Sequence, residues 1–356
     1  MSDGEAEPSY DDFDVGAWLQ PNGPDAEIAI CTRVRFARNV KGFRFSTCMT
    51  SEESEELARY LQRQLTREDF AEQLDVVDVG DLGDLERRLL LERHLISREL
   101  ASADRKRFVA INKPESVSVM VNEEDHIRAQ VFEAGQSIDS AFARADALDQ
   151  ALTKRVPLAY SDEFGFLTSC PTNTGTGLRI SVMLHLPGLV WAEEMDKATR
   201  SVQKINMAVR GLYGEGSRAT GDYYQVSNQI TLGRAEAEIV ADVRRAVERL
   251  IAAEREVRAA LLKGDKRNRT LDRIFRNLGT LERARILTTE EALSCLSALR
   301  FGVEQGLIDE VPMTRINAAL LLSQPAHLQR LHGRSMTSDE RDEKRAALMR
   351  RIVTGS

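Results

Sequence analysis

The sequence predicts an α+β protein, with a mainly antiparallel sheet flanked by helices, followed by an all-helical C-terminal domain. Three observations carry that expectation. Ser116-Val117-Ser118-Val119-Met120-Val121 and Arg179-Ile180-Ser181-Val182-Met183-Leu184-His185-Leu186 alternate polar and apolar residues with the period of a half-buried strand. Helical and strand signals are interspersed up to residue 234 without regular βαβ spacing. After residue 234 only helical signals remain.

The elements follow in order. Residues 1–24 read as a disordered acidic tail, ended by the turn formers of 21–25. Glu27-Ile28-Ala29-Ile30 leads into a strand through Cys31-Thr32-Arg33-Val34-Arg35. Residues 51–64 open with Ser/Glu capping chemistry and continue at helical spacing through Leu57, Tyr60 and Leu61, and a second helix covers 83–93. The strand at 116–121 comes next, then helical stretches at 134–156 and 193–209 on either side of the strand at 179–186, which stops at Pro187-Gly188. A short strand is expected at Gln229-Ile230-Thr231-Leu232, closed by Gly233. Ile239, Val243, Val247, Leu250, Val257 and Leu261 then form the apolar stripe of a long amphipathic helix. Further helices are expected at 269–286, 289–304, 314–323 and 338–353, with a capping box at Thr288-Thr289-Glu290-Glu291 and a C-cap at Gly306. The expected division is a tail at 1–24, a mixed domain at 25–235 and a helical domain at 236–356, with no internal repeat.

Composition narrows the function classes. The 356 residues suffice for about two domains with cores of their own. Twenty-two Gly and nine Pro are too few for a fibrous or broadly disordered chain. The net charge of −7 is the remainder of 49 basic and 56 acidic residues, so bulk attraction to nucleic acid is not indicated. No apolar run is long enough to span a membrane, and the acidic N-terminus is not a secretory signal, which points to the cytoplasm. Cys31, Cys48, Cys170 and Cys295 form neither a disulfide framework nor a metal-binding pair, as suits a reducing compartment.

Four segments collect polar residues that chemistry can use. In Thr32-Arg33-Val34-Arg35 the alternation sets both arginines on one strand face. Parallel guanidinium groups repel and need a shared anion, for which a triphosphate is suited. A solvated edge strand with surface ion pairs is the plainer alternative. Asn122-Glu123-Glu124-Asp125-His126-Ile127-Arg128 sets three acids and a histidine at a strand end, either as a reactive cluster or as the acid-rich start of a helix. Cys170-Pro171-Thr172-Asn173-Thr174-Gly175-Thr176-Gly177-Leu178-Arg179 is a turn-rich loop with hydroxyl and backbone donors. It is not a P-loop, because the Lys-Ser/Thr pair is missing and a strand follows where a helix is needed. Cys170 by itself also fits a small buried residue. Arg210-Gly211-Leu212-Tyr213-Gly214-Glu215-Gly216-Ser217 is a glycine-rich loop with one carboxylate, or merely a turn. Together, Arg33, Arg35, Arg128, Arg179 and Arg210 could converge on a nucleotide, and Glu124 and Glu215 on a cationic substrate. That combination suggests phosphoryl transfer to a cation.

These segments, in this order, resemble the signature motifs of the ATP:guanidino phosphotransferases, the phosphagen kinase family of arginine and creatine kinases, over residues 26–234. The resemblance implies a guanidino-kinase catalytic domain built on an antiparallel sheet flanked by helices. Small-substrate members carry a helical domain on the order of a hundred residues before the first motif. Here that motif begins at Thr32 and an extra helical domain follows instead, which resembles the bacterial protein-arginine kinases. In that branch the acceptor is an arginine side chain in a protein, and an open guanidine site fits it.

The resemblance implies roles residue by residue. Glu124 and Glu215 would bind the two guanidinium edges, one of them accepting the proton, with Cys170 assisting. ATP would lie on Cys31, Thr32, Arg33, Val34 and Arg35, on His94 beside the base, and on Arg128, Arg179, Ile180, Ser181, Val182 and Met183. Arg210, Gly211, Leu212, Tyr213, Gly214 and Glu215 complete its site, with the loop 211–221 closing over substrate. That loop departs from the small-substrate pattern at Gly216-Ser217-Arg218. Mg²⁺ is expected on phosphates and water, without dedicated protein ligands. Arg341-Asp342-Glu343-Lys344-Arg345-Ala346 resembles a phosphoarginine-binding motif, in which Arg341 and Arg345 clamp the phosphoryl group, Asp342 holds the guanidinium and Ala346 completes the pattern. A solvated helix with charge pairs is the alternative. Protein substrates are the implied partners, together with a zinc-binding activator protein and a Clp-type AAA+ protease of bacterial stress response. A homodimer is left open. The competing readings are a kinase of free arginine or another small guanidine, and a non-catalytic adaptor that reads phosphoarginine.

Overall fold

A computed structural model describes residues 15–102, 104–211 and 220–355. The strands are β1 (Ala29–Arg38), β2 (Asp75–Asp78), β3 (Phe108–Ile111), β4 (Val117–Val121), β5 (Ile127–Ala134), β6 (Tyr160–Ser161), β7 (Gly165–Phe166), β8 (Leu178–His185), β9 (Met207–Gly211) and β10 (Tyr223–Asn228). The helices are α1 (Ser51–Leu65), α2 (Asp84–Glu92), α3 (Arg98–Ser102), α4 (Ile138–Thr153), α5 (Pro187–Trp191), α6 (Met195–Gln203) and α7 (Glu236–Leu261). They are followed by α8 (Lys266–Arg283), α9 (Thr289–Glu304), α10 (Met313–Leu322), α11 (Pro325–Leu331) and α12 (Ser338–Thr354). Eight strands form one antiparallel sheet in the order β2-β3-β4-β5-β1-β8-β10-β9, and β6 and β7 make a separate hairpin. The α+β class is as the sequence predicts.

One face of the sheet is apolar. Val34, Phe36, Val119, Val131, Ile180, Val182 and Val226 pack there with Leu57 and Leu61 of α1, Ala141 and Leu148 of α4, and Ile239, Val243 and Val247 of α7. Hydrophobic area removed from water holds this layer together. A second core, formed by α8 to α12, gathers Ile274, Leu296, Phe301, Ile316 and Met349. The capping box at Thr288 forms, with its hydroxyl accepting from the Glu291 amide, and Gly306 takes the left-handed conformation at φ 63° just past α9.

Several expectations need correction. Residues 1–14 lie outside the described residues, but the rest of the expected tail is folded, because Val15, Trp18 and Leu19 bury against Ile30, Phe132 and Leu321. Residues 229–232 form no strand. Instead, the Thr231 hydroxyl donates to the carbonyls of Thr172 and Thr174 and props the loop beneath them. Only the first part of 193–209 is helical. Its end is the edge strand β9, paired to β10 from Met207 opposite Asn228. The sequence reading also omitted β2, β3, β5, β6, β7, β10, α3, α5 and α11. Finally, the boundary at 235/236 falls at the start of α7, whose apolar stripe lies in the sheet core, while the second core begins with α8. We propose that the division runs through 262–265.

Candidate active site

Strand register assembles the polar face. Directly paired residues share a face of a sheet. Arg35 pairs with Arg179 on one side and Gln130 on the other, and Arg33 pairs with Ser181 and Phe132. Ala37 pairs with Arg128, Met183 with Gln225, and Gln225 with Arg210. All five arginines therefore stand on the face opposite the apolar core, spread over β1, β5, β8 and β9. The same alternation turns Thr32, Val34, Ile180 and Val182 the other way. Val34, Ile180 and Val182 are core residues, and the Thr32 hydroxyl donates to the Gly135 carbonyl at 2.8 Å. Their side chains point away from the arginine face, so any contact these four make with a ligand there runs through the backbone. Cys31 is on the arginine face but buried, and burial pushes its thiol up to about 12.

The arginine face is electrostatically strained. Among the described residues Arg33 and Arg35 have no hydrogen-bond or ion-pair partner, and the Nε atoms of both are buried and unsatisfied. Burial, then neighbouring arginines, lower the pKa of both groups: Arg33 to about 10, with Arg128 and Arg179 contributing, and Arg35 well below its ordinary value. A buried donor without an acceptor costs free energy, as does like charge at close range. An anion with many oxygens relieves both. Ser227 accepts from Arg179 at 3.1 Å and fixes its direction.

The Asn122–Arg128 segment divides its labour. Asn122, at φ 61°, donates through its amide to Ser54 and to the Lys106 carbonyl and holds the turn. Buried Glu123 accepts twice from Arg128, at 3.0 and 2.9 Å, and fixes that guanidinium. Asp125 accepts from the Asn39 amide and the Ser169 backbone, both at 2.7 Å, which ties this turn to the Cys170 loop. His126 accepts at Nδ1 from the Val40 amide at 3.0 Å and donates from Nε2 to the Arg44 carbonyl at 2.8 Å, so its ring is neutral and structural. Glu124 is left half-buried toward the site, 3.8 Å from Arg128, with one oxygen accepting from Asn173 at 3.3 Å. Its pKa is raised, first by burial and then by Asp125 and Glu123, against Arg128 and Asn173. A carboxylate shifted this way is suited to accept a proton.

Cys170 lies across the loop that Asp125 anchors. Its sulfur is 3.0 Å from the Thr172 hydroxyl, and Thr168 donates to its carbonyl. The loop is held at close quarters. Gly175 has φ 110°, and a Cβ there would lie 2.5 Å from the Thr231 carbonyl oxygen. Gly177 has φ 62°, and a Cβ would lie 2.7 Å from the Ala37 oxygen. Only glycine meets both demands.

His94 takes φ 59° after α2 and meets Trp18 edge-on, with ring centroids 5.6 Å apart, while Gln130 donates to the His94 carbonyl. Burial, then Arg33 and Arg35, lower the His94 pKa to about 4, so the ring is neutral near pH 7. Asn39, Asn173, Thr231 and Trp18 support the site without having been singled out by sequence reasoning. Only Asn173 stood in a recognisable motif, and the others act through contacts distant in sequence. Leu212, Tyr213, Gly214 and Glu215 lie outside the described residues.

In the helical domain, the three charged residues of the expected phosphoarginine pocket meet at the start of α12. Buried Arg345 donates to the carbonyls of Ser323 and Leu287, each at 2.8 Å, and to Asp342. Arg341 donates to the Met336 carbonyl. Ala346 is buried beside them.

The comparisons with known proteins agree with this geometry. The family model described as ATP:guanido phosphotransferase, C-terminal catalytic domain, matches residues 56–257, and that of the protein-arginine kinase McsB C-terminal domain matches residues 267–355. A protein-arginine kinase of Halalkalibacterium halodurans is 39% identical over 337 residues, which are 94% of either chain. One of Geobacillus stearothermophilus is 40% identical over 343 residues, 94% of this chain and 93% of its own. The chain belongs to the protein-arginine kinase family. Among solved structures, the duplicated taurocyamine kinase of Schistosoma mansoni with transition-state analogue components is 29% identical with a TM-score of 0.57. The match covers 64% of this chain and about a third (33%) of that longer one. Lombricine kinase, 21% identical with a TM-score of 0.59 over 72% of this chain and 74% of its own, shares the fold. In this chain the guanidino phosphotransferase match covers the strands of the sheet after β1, and the McsB C-terminal match covers the helices after α7.

Proposed function

We propose that this protein transfers the γ-phosphoryl group of ATP to the guanidinium group of arginine side chains in proteins. The arginine face supports this reading most directly, because Arg33 and Arg35 stand on it with buried, unsatisfied Nε atoms and Arg128 on the same face lies 3.8 Å from Glu124. Arg33, Arg35, Arg128, Arg179 and Arg210 neutralise the triphosphate and the charge on the transferred group. The acceptor guanidinium is protonated at neutral pH and a poor nucleophile. Glu124 binds it, orients one nitrogen toward the γ-phosphorus and takes its proton as the N–P bond forms and the bond to ADP breaks. Asn173 holds the Glu124 carboxylate in place. By resemblance Glu215 binds the opposite edge and Cys170 assists, and the backbone around β1 and β8 together with His94 lies along the nucleotide. Mg²⁺ would ride on the phosphates and neutralise them. Among the described residues no cluster of three or more His, Cys, Asp or Glu could hold a metal ion.

The wider setting belongs to the same proposal and rests on the resemblance alone. Phosphoarginine marks proteins for a Clp-type protease in the bacterial cytoplasm under stress, a zinc-binding activator protein assists, and Arg341, Asp342, Arg345 and Ala346 bind phosphoarginine. Among the described residues no helix is long and apolar enough to cross a membrane. The test incubates the full chain with ATP and Mg²⁺ and either a disordered protein or free L-arginine, and reads phosphoarginine by mass spectrometry without acid. Transfer to protein that Glu124→Gln abolishes supports the reading. Transfer to free arginine alone, or to neither acceptor, overturns it.

A further inference from the structure

Two contacts from the helical domain converge on His94. Gln130, the direct strand partner of Arg35, donates from Nε2 to the His94 carbonyl at 2.7 Å, which sets His94 on the arginine face. The His94 ring is partly exposed and meets Trp18, which packs in turn on Phe132, the strand partner of Arg33. The Arg33 guanidinium lies 5.8 Å from the centre of the Phe132 ring. Burial and the neighbouring arginines keep the imidazole uncharged near pH 7, so it offers a flat aromatic face to a base and no charge to a phosphate.

The first contact is polar. Glu92 is the last residue of α2, and the His94 amide donates to the Leu91 carbonyl at 3.0 Å, so that turn carries His94 directly. A carboxylate at a helix C-terminus opposes the helix dipole. Here another helix compensates it. Glu92 accepts from the Ala326 and His327 amides in the first turn of α11 at 2.8 and 3.1 Å, and from Nδ1 of the buried His327 ring at 2.7 Å. The second contact is apolar. Buried Trp18 packs with Leu321 of α10, and the Asn317 amide one turn earlier donates to the Leu19 carbonyl at 2.6 Å. Only Ser323 and Gln324 separate α10 from α11. One corner of the helical domain therefore holds both the turn before His94 and the indole beside its ring. A residue other than glycine at φ 59° persists where its surroundings over-determine it, and these contacts do so.

We propose that Glu92 and Trp18 are positioning residues for the nucleobase of ATP, fixing the His94 ring where the base stacks on it while the arginines hold the phosphates. The inference rests on the kinase reading above and adds the residues that set the base end of the nucleotide site.

Inorganic tripolyphosphate has the three phosphates without base or ribose, and it separates a base effect from a general one. In the full chain at fixed free Mg²⁺, Glu92→Ala and Trp18→Leu should each raise the KM for ATP about tenfold, with the loss in KM rather than kcat, as expected for a weakened base–aromatic contact. The inhibition constant of tripolyphosphate should stay at the parent's value. His94→Ala should show the same loss, and Glu92→Ala/His94→Ala no more than His94→Ala alone, because both residues act through one contact. Should Glu92→Ala not fold, Glu92→Gln, which keeps the size and an acceptor oxygen, replaces it in the cycle with a smaller loss of the same kind. Equal weakening of ATP and tripolyphosphate, additive losses in the double variant, or an unchanged KM in the single variants overturns the inference and leaves the kinase reading standing. A parent chain that transfers nothing from ATP to protein overturns both.

Discussion

Arg33 and Arg35 of β1 and Arg258 of α7 carry the same side chain put to opposite uses. Arg33 and Arg35 are withdrawn from water beside other cations, with no partner among the described residues. Arg258 is more deeply buried, yet it donates to Glu254 at 2.7 Å and to the carbonyls of Glu27 and His185 at 3.2 and 2.9 Å. Glu254 in turn accepts from the amides of Gly188 and Leu189 at the start of α5. Burial alone therefore says little about what a charged residue does. Arg258, whose partners lie in the fold, joins elements, whereas Arg33 and Arg35 keep donors that the described residues do not satisfy.

Four predictions sharpen or break that contrast. The largest effect is expected at the centre of the site, where Glu124→Gln should lower kcat by roughly 10²–10⁴-fold, as for loss of a proton acceptor, while ATP binding followed by calorimetry is retained. Next, Arg258→Met should destabilise the fold by about 3–5 kcal/mol in urea unfolding, because Glu254 is left charged and buried. If that variant were as stable as the parent, the joining role would be lost. Arg35→Met should do the reverse. Without nucleotide its melting temperature should equal or exceed the parent's, and it should lose the stabilisation that ATP confers, about 2.7 kcal/mol at a hundredfold excess over Kd. A clear loss of stability without ATP would place Arg35 with Arg258.

The smallest effect is one of pH. Because Glu124 has a raised pKa in the free protein, it protonates at higher pH than an ordinary glutamate, and kcat/KM should fall on acidification from above the usual carboxylate range. A bound guanidinium favours the charged form, so the same limb in kcat should lie at lower pH. Coincident limbs in the two profiles would remove Glu124 as the group that titrates. His94, already neutral near pH 7, should add no limb between pH 5 and 8.

Much of this was legible in the sequence. The alternation in β1, β4 and β8 is clean because each strand has one apolar face, and α1, α7, α9 and α12 show continuous stripes or capping boxes. β5 was missed although Ile127-Arg128-Ala129-Gln130-Val131 alternates, because it begins inside the acidic motif, which reads equally well as the start of a helix. β9 is a short edge strand whose Arg210 faces the site, so its residues read equally well as the end of a helix. The motifs marked segments that the fold brings together, but not how the residues within them divide their contacts. Nothing local distinguishes Glu123, which clamps Arg128, from Glu124, which is left half-buried with one oxygen on Asn173. Asp125 and His126 look reactive in sequence, yet one Asp125 oxygen and both His126 ring nitrogens are held by hydrogen bonds to residues distant in the chain.

The junction between the two cores has a consequence for how such a protein can be taken apart. Arg300 of α9 donates to the Ala26 carbonyl, and Asn317 of α10 to that of Leu19, while Leu321 of α10 packs with Trp18 and Tyr223. Ser297 bridges His185 at the end of β8 to Asp222 at 2.9 and 2.7 Å, and a Cβ on Gly221 would lie 2.8 Å from the Leu293 oxygen. A chain cut after α7 would bare apolar and charged groups that now have no contact with water. The two sequence domains are therefore poor modules: neither can be exchanged, shuffled or expressed as a truncated catalytic fragment without redesigning the surface that the other covers.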